Sequence, residues 1–289
     1  MNFAITVLIA LTFFVSQVLL SDELEIIYPS KETEADIRDD DIVELLKIIL
    51  QRTVETDGDF TMRTAPMMNE ARFTKFLKKG KQLNIIWTSA TPELDKQSIP
   101  IHIPIRKGIL GYRIFLIDKK NQAKFENINS LEELKVLTVG QEHFWNDVEV
   151  FKANGFQVIK GGSYEGLFNM LIRGRFDYFS RGFNEAYKEY EMRKQKFPSL
   201  FVEQNILLYY PWPKFFYVSL NHPKIADRVK RGFKLIIADG TYEQWFLKYN
   251  QEAIKQAKLS QRKLFKLNNP LLPSSVPLNQ KDLWYDPFR

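Results

Sequence analysis

The chain has 289 residues, of which 45% are hydrophobic and 14% aromatic, so it is neither a disordered nor a low-complexity protein. Its 41 basic and 35 acidic residues leave a net charge of +6, a mild excess that indicates no nucleic-acid partner. Cysteine is absent, which excludes disulfides, thiolate catalysis and cysteine metal sites, and the presence of three histidines disfavours a histidine-rich metal cage. We therefore predict no metal and no cofactor, and we expect about two domains from the length.

The N-terminal segment 3–20 contains no charged residue and ends abruptly at the polar sequence Ser21-Asp22-Glu23. A signal-peptide core, a short membrane anchor and a buried helix share this pattern. The position and the sharp polar boundary favour a signal peptide over residues 1–21, although no Lys or Arg precedes the apolar run. A cleaved signal peptide and an anchor through residues 3–20 would both export the remainder, so a periplasmic location is predicted.

The first part of the chain alternates between apolar strand patterns and amphipathic helix patterns in the order β-α-β-α-β. This order is typical of a parallel sheet covered by helices. The predicted strands cover residues 24–28, 60–64 and 83–87, and the predicted helices cover residues 41–50 and 69–79.

The α/β pattern begins again after a proline-rich segment at residues 99–104 and predicts a second lobe. The strands predicted in this part cover 109–118, 136–140, 156–159, 176–180 and 200–208, and the helices cover 131–135, 146–154, 162–173 and 183–194. A strand at 215–220 and helices at 223–238 and 241–258 follow. From residue 266 the chain is proline-punctuated and is predicted to form an extended strap. Residues 251–289 hold seven basic and three acidic residues, so most of the net charge lies in this tail.

Three short strings carry a resemblance to a known family. Residues 88–93 read TSATPE, residues 174–177 read GRFD, and residues 238–242 read ADGTY and lead to Trp245. In this order they resemble the M-T-I-T-x-E-R loop, the GR-x-D turn and the terminal DGTY pattern of the type II periplasmic solute-binding proteins, in particular the amino-acid-binding family of ABC transport systems. The resemblance extends over residues 22–250.

The resemblance implies an α/β fold of two lobes, each a mixed, mainly parallel sheet flanked by helices. Two crossover strands would join the lobes, which would close on a small ligand by hinge bending. The first lobe would combine residues 22–110 with 212–250, and the second lobe would cover 111–211. Residues 251–289 would lie outside both lobes, as the end of a helix and the strap.

The resemblance also implies ligand-binding positions around the cleft. Arg113, at the start of a strand, would bind a ligand carboxylate through two hydrogen bonds, and a surface ion pair is the alternative. Arg106 is a weaker candidate of the same kind. Ser89 and Thr91 would offer hydroxyl and backbone groups, although such residues are also ordinary turn formers. Tyr28 would line the cleft, although a tyrosine at a strand end is commonly part of the core.

The second lobe would contribute a glycine loop at Gly140, next to a helix N-terminus whose backbone N–H groups suit an anionic ligand group. Trp145 and Asp147 are predicted ligand contacts in the same region, and His143 is a weaker candidate. Asp147 is also a natural first-turn acid of a helix.

Arg181 marks a departure from the family pattern. Where α-amino-acid binders carry an aspartate a few residues after GR-x-D, residues 178–182 read YFSRG, so a cation replaces an acid. If Arg181 and Arg113 both face the cleft, we expect an anionic or strongly polar ligand, because two unpaired guanidinium groups in a partly dry site are costly. Glu185 or Glu165 would restore an acid, and pairing of Arg181 with Glu185 at i+4 is the alternative.

We predict an exported, monomeric binding protein that captures a small polar, carboxylate-bearing solute for an inner-membrane ABC permease. One alternative is a sensing module that reports ligand occupancy to a membrane signalling partner. Another is an enzyme on the same fold, such as a dehydratase. The sequence contains no P-loop, GxSxG or HExxH motif and identifies no catalytic residue.

Overall fold

The computed structural model of the protein describes residues 24–31, 39–67 and 70–289. The predicted signal peptide or anchor lies outside these ranges. Within them the chain forms eleven α-helices and twelve β-strands. The helices are α1 (Asp40–Gln51), α2 (Val54–Asp57), α3 (Glu70–Lys79), α4 (Pro92–Gln97), α5 (Gln122–Glu126), α6 (Leu131–Lys135), α7 (Asp147–Ala153), α8 (Tyr164–Ile172), α9 (Phe183–Arg193), α10 (Pro223–Ala238) and α11 (Thr241–Ala257). The strands are β1 (Leu24–Tyr28), β2 (Phe60–Thr64), β3 (Ile85–Ser89), β4 (Ser98–Ile101), β5 (Tyr112–Asp118), β6 (Thr138–Glu142), β7 (Gln157–Gly161), β8 (Tyr178–Gly182), β9 (Leu200–Val202), β10 (Ile206–Tyr209), β11 (Lys214–Ser219) and β12 (Lys263–Lys266). Among the helices of the described residues, none is both long and apolar enough to span a bilayer.

The first lobe is built on two small sheets that Asn84 joins. β1 pairs in parallel with β2, and β11 pairs antiparallel with both β3 and β4. The carboxamide of Asn84 accepts a hydrogen bond from the backbone N–H of Ile27 (2.8 Å) and donates one to the carbonyl of Glu25 (2.8 Å). Asn84 directly precedes β3, so its side chain links the backbone of β1 to the start of β3.

Helix α1 contributes an apolar stripe to the core of this lobe. Ile42, Leu45, Leu46 and Ile49 are fully buried and recur at the spacing of one helix face. Helix α10 packs closely beside α1 at Gly232, where an added Cβ would lie 2.2 Å from the carbonyl oxygen of Ile49. The close approach of the two helices therefore requires glycine at this position.

The second lobe is built on one mixed sheet of seven strands, with the order β12-β10-β5-β8-β6-β7 and β9 paired to β5. All seven residues of β5 are buried, as expected of a central strand. Residues 102–111 connect β4 to β5, and residues 210–213 connect β10 to β11. We call these segments the first and second crossovers. The predicted fold class, an α/β fold of two lobes with mixed sheets and flanking helices, is thus confirmed. The expectation of mainly parallel sheets is wrong, because four of the nine strand pairs of the described residues are parallel and five are antiparallel. The two crossovers are connecting segments that contain no strand.

Residues 200–208 form two strands instead of the single strand that was predicted. The carboxylate of Glu203 accepts hydrogen bonds from the backbone N–H groups of Asn205 (2.6 Å) and Ile206 (2.8 Å). These bonds turn the chain between β9 and β10, because the side chain supplies acceptors in place of a neighbouring strand.

Two strands escaped the sequence analysis. β4 contains Pro100, which cannot donate to a ladder and is tolerated because β4 is an edge strand. β12 lies in the charged tail and pairs in parallel with β10 at the edge of the second-lobe sheet. A run of four residues is too short for its periodicity to indicate a strand.

Candidate functional site

Arg113 and Arg181 lie at the same end of the second-lobe sheet but on opposite faces of it. Arg113 opposes Gly182 on β8, and Arg181 opposes Ile114 on β5. Side chains alternate between the two faces along a strand, so the two arginines point to opposite sides. The two guanidinium groups therefore do not face each other.

Arg113 is buried and forms an ion pair within the second lobe, instead of the surface ion pair considered above. Its Nη2 lies 2.9 Å from Oδ1 of Asp147, and the hydroxyl of Tyr210 donates to the same oxygen at 2.5 Å. The guanidinium also lies over the Tyr210 ring, 5.2 Å from its centroid. Burial lowers the pKa of Arg113, but Asp147 and Tyr210 outweigh burial, so the pKa is raised. The buried Nε of Arg113 has no hydrogen-bond partner in the described part of the chain.

Arg181 is enclosed by two acids and by aromatic rings. Its Nε and Nη2 donate to the two carboxylate oxygens of Glu189 at 2.8 and 2.6 Å, and Nη2 lies 3.1 Å from Glu185. The Trp145 ring lies under the guanidinium, with its centroid 4.7 Å away. The alternative pairing with Glu185 is thus present. Glu189, which the sequence analysis missed, makes the two-bond contact.

Glu185 is the acid of this group that solvent reaches. Its carboxylate accepts a hydrogen bond from the backbone N–H of Gly182 at 3.1 Å and caps α9, while 34% of the side chain is exposed. Burial raises the pKa of Glu185, but Arg181 and Arg113 outweigh burial and lower it. Lys214, at the start of β11, acts in the same direction. Glu185 is therefore a carboxylate close to cations of both lobes.

Arg106, on the first crossover, pairs with the N-terminal turn of α1. Its Nε and Nη2 donate to the two carboxylate oxygens of Asp41 at 2.7 and 2.5 Å. An acid in the first turn of a helix is favourable in itself, so Asp41 stabilises both the helix and the guanidinium. Lys214 lies 3.7 Å from Asp39, next to this pair.

Ser89, Thr91 and Tyr28 lie at or just beyond strand ends in the first lobe. Ser89 is the last residue of β3 and is half-buried. Thr91 caps α4, because its hydroxyl accepts a hydrogen bond from the backbone N–H of Leu94 at 3.3 Å. Tyr28 ends β1, and its ring centroid lies 6.1 Å from that of Trp87. Thr91 thus caps a helix, and its role in ligand binding stays a prediction.

The loop motif of the resemblance ends differently in this chain. The M-T-I-T-x-E-R pattern would place an arginine after Glu93, where this chain has Leu94. Leu94 is buried and shares a core with Phe215 and Val276. The first lobe therefore has an apolar side chain where the motif has a cation.

Gly140 lies inside β6, which corrects the prediction of a loop glycine at a helix N-terminus. An added Cβ would lie 2.2 Å from the ring of Phe176, so close packing explains the glycine. Trp145 and Asp147 follow β6 and contact the two arginines on opposite faces of the sheet. His143 is exposed in the turn between them and β6.

The architecture is that of the two-lobed type II periplasmic binding proteins. No protein-family model matches the sequence, and no curated protein matches it. Among solved structures, the probable amino-acid ABC transporter extracellular-binding protein ytmK from Bacillus subtilis is 18% identical, with 78% of this chain and 97% of that chain covered and a TM-score of 0.56.

Two further structures show the same likeness. A periplasmic binding protein of Salmonella typhimurium with high arginine specificity is 12% identical over 78% of this chain and 99% of that chain, with a TM-score of 0.52. An ancestral amino-acid-binding protein, a precursor of cyclohexadienyl dehydratase, is 17% identical over 78% of this chain and 95% of that chain, with a TM-score of 0.50. At these identities the likeness establishes the fold.

Proposed function

We propose that the protein captures a small polar solute at the junction of its two lobes and delivers it to an ABC-type permease. The observation that carries the proposal is the combination of Arg113 and Glu185 beside the crossovers. Arg113 offers an N–H donor that has no acceptor among the described residues, and Glu185 offers a partly exposed carboxylate. A solute with both a carboxylate and an amino or guanidinium group would complement these two side chains.

Arg113 suits a carboxylate because it is held in place before any ligand arrives. Asp147 and the Tyr210 ring fix the guanidinium from two sides, so little side-chain freedom is left to lose on binding. Its Nε–H, which has no acceptor within the ranges that the structure describes, would gain one from the ligand.

Glu185 suits the cationic end of the same solute. Its pKa is lowered, so it is ionised at neutral pH, and the exposed part of its side chain is open to a ligand ammonium group. The arginines that lower this pKa are themselves paired, which leaves the site less cationic than the sequence indicated.

The neighbouring structures support the same ligand class. One is named as an amino-acid ABC transporter binding protein and another as specific for arginine. We therefore propose an amino-acid-like solute as the first class to test. Export to the periplasm is part of the proposal and rests on the apolar segment 3–20.

Thermal-shift screening of the purified protein against amino acids, other carboxylates and short peptides tests this function. A solute that binds only the folded state at about 100 times its Kd adds about 2.7 kcal/mol to the free energy of unfolding. This corresponds to a Tm increase of about 5–11 °C for a chain of this size. A screen in which no solute raises the Tm would contradict the proposal.

Calorimetric titration of Glu185→Gln with a stabilising solute then tests the site. Glutamine keeps an acceptor for the Gly182 N–H but removes the charge, so we expect affinity to fall about 10- to 100-fold. Glu165→Gln is the matched control, because Glu165 is 58% exposed and pairs with Arg193 away from the crossovers. Equal affinities of the two variants would exclude Glu185 from the site.

A further inference from the structure

The strap was predicted from residue 266, but Lys266 belongs to β12, so we define the strap as residues 267–289. It is first fixed to the second lobe. The backbone N–H of Leu267 donates to the carbonyl of Tyr209 at 2.8 Å. Asn268 and Asn154 then exchange two hydrogen bonds, at 3.0 and 2.7 Å, which tie the strap to the end of α7. The strap therefore starts from a fixed position on the second lobe.

The middle of the strap is buried in the first lobe. Val276 is 7% exposed and packs in the core that contains Leu94 and Phe215. The hydroxyl of Ser275 donates to the carboxylate of Asp95 on α4. Between residues 267 and 276 the strap thus spans the two lobes, in addition to the two crossovers.

The strap also binds the backbone of both crossovers. Asn269 donates through Nδ2 to the carbonyl of Pro211, in the second crossover, at 2.8 Å. The backbone N–H of Tyr285 donates to the carbonyl of Lys107, in the first crossover, at 2.9 Å. The hydroxyl of Tyr112 donates to the carbonyl of Tyr285, also at 2.9 Å.

The strap holds the first crossover at a left-handed turn. Lys107 and Gly108 have φ values of 49° and 68°, and a left-handed conformation costs a non-glycine residue about 1–2 kcal/mol. Trp284 covers Gly108 so closely that an added Cβ would lie 2.5 Å from the indole. The next residue, Tyr285, packs against Phe183 of α9, with ring centroids 6.2 Å apart.

We propose that the strap is a clamp on the hinge, which restricts the angle between the two lobes. Rotation of one lobe against the other requires φ and ψ changes in the crossovers. In this protein both crossovers are hydrogen-bonded to a segment that is anchored independently in each lobe. A change of interlobe angle must therefore break strap contacts at Lys107, at Pro211 or in the first-lobe core.

Interlobe distances measured by electron spin resonance in the ligand-free, full-length protein test the clamp. The chain lacks cysteine, so Glu55→Cys and Lys160→Cys place one spin label on an exposed position of each lobe. We expect a single narrow distance distribution in this parent and a second distance population when Trp284→Ala is added. Because no ligand is used, failure of the proposed function would leave this measurement intact.

Two more variants keep the test decisive. Phe288→Ala is the matched control, since this aromatic side chain lies in the same tail but is 49% exposed, and it should leave the distribution unchanged. Asn269→Ala removes the bond to Pro211 without emptying a core, so it replaces Trp284→Ala if circular dichroism shows that variant to be unfolded. A parent-like distribution in the folded strap variants, or a second population in Phe288→Ala, would overturn the proposal.

Discussion

Replacement of Arg262 by methionine tests how the C-terminal part of the chain is attached to the second lobe. Arg262 is buried between α11 and β12. Its guanidinium donates to the carbonyls of Ala257 (2.8 Å), Glu203 (2.6 Å) and Ile206 (3.2 Å). Its Nη1 also lies 3.4 Å from the Glu203 carboxylate. One side chain thus joins the end of α11, the turn after β9 and the start of β10.

The expected loss follows from the burial of Glu203. This side chain is 0% exposed, and burial raises its pKa although backbone N–H groups and Arg262 act against the rise. Arg262→Met leaves a buried carboxylate without its cation, which typically costs about 3–5 kcal/mol. For a chain of this size the Tm should fall by about 6–20 °C. Methionine refills much of the apolar volume, so the loss reports the polar contacts.

Thermal unfolding followed by circular dichroism measures this loss. Arg231→Met is the matched control, because Arg231 is 53% exposed and forms a surface pair with Asp57 that is worth less than about 1 kcal/mol. A Tm decrease in Arg262→Met no larger than in the control would refute the reasoning.

The pH dependence of stability gives a second check. Because the pKa of Glu203 is raised, the folded state binds more protons than the unfolded state. The contribution of Glu203 to stability therefore falls as pH rises above about 4.3, the ordinary pKa of a glutamate, and it should fall further in Arg262→Met.

Three other sites give independent predictions. Arg228→Met should lower the free energy of unfolding in urea by about 3 kcal/mol, because the buried guanidinium donates to the Thr53 hydroxyl, to the carbonyl of Leu50 in α1 and to the carbonyl of Gly58 after α2. A loss below about 1 kcal/mol would contradict this. Gly140→Ala should lower the free energy of unfolding by about 1–3 kcal/mol, because its Cβ meets the buried ring of Phe176. Gly162→Ala is the control and should be neutral, because an added Cβ there meets no atom of the described residues within 4 Å. Equal effects of the two variants in thermal unfolding would contradict the packing. Glu185 has a lowered pKa, so the unfolded state binds more protons and stability should fall as pH drops below about 4.3. In Glu185→Gln, the loss of stability at low pH, measured by denaturation, should be smaller. If the variant loses as much stability as the parent, the Glu185 carboxylate is not the source of the loss.

The fold was predictable where a local pattern allows one interpretation. The bounds of β1 and β2 are correct because each is a short run that polar sequence delimits. The prediction of one strand over residues 200–208 is wrong because the N–H groups of Asn205 and Ile206 donate to the carboxylate of Glu203 instead of to a neighbouring strand. β12 could not be predicted, since it exists through its pairing with β10.

The site was predictable only as a set of conspicuous residues. Arg113 and Arg181 stand out because they interrupt apolar strands, but their placement on opposite faces depends on the register of β5 and β8. Glu189 lies eight residues from Arg181, beyond the i+4 spacing, and reaches it through the turn from β8 into α9. Asp147 reaches Arg113 through the packing of α7, a tertiary contact that no local pattern encodes.

Two of the seven basic residues of the tail attach it to the second lobe. Arg262 is buried against Glu203, and Lys263 donates to the side chain of Asn129 at 2.7 Å, so two of the tail cations are bound within the second lobe. Both lie immediately before the strap, in the segment that fixes its origin. A clamp restricts motion only if both of its ends are fixed, so the clamp depends on the contacts of Arg262 as well as on the packing of Trp284. The first holds the strap on the second lobe, and the other holds the first crossover.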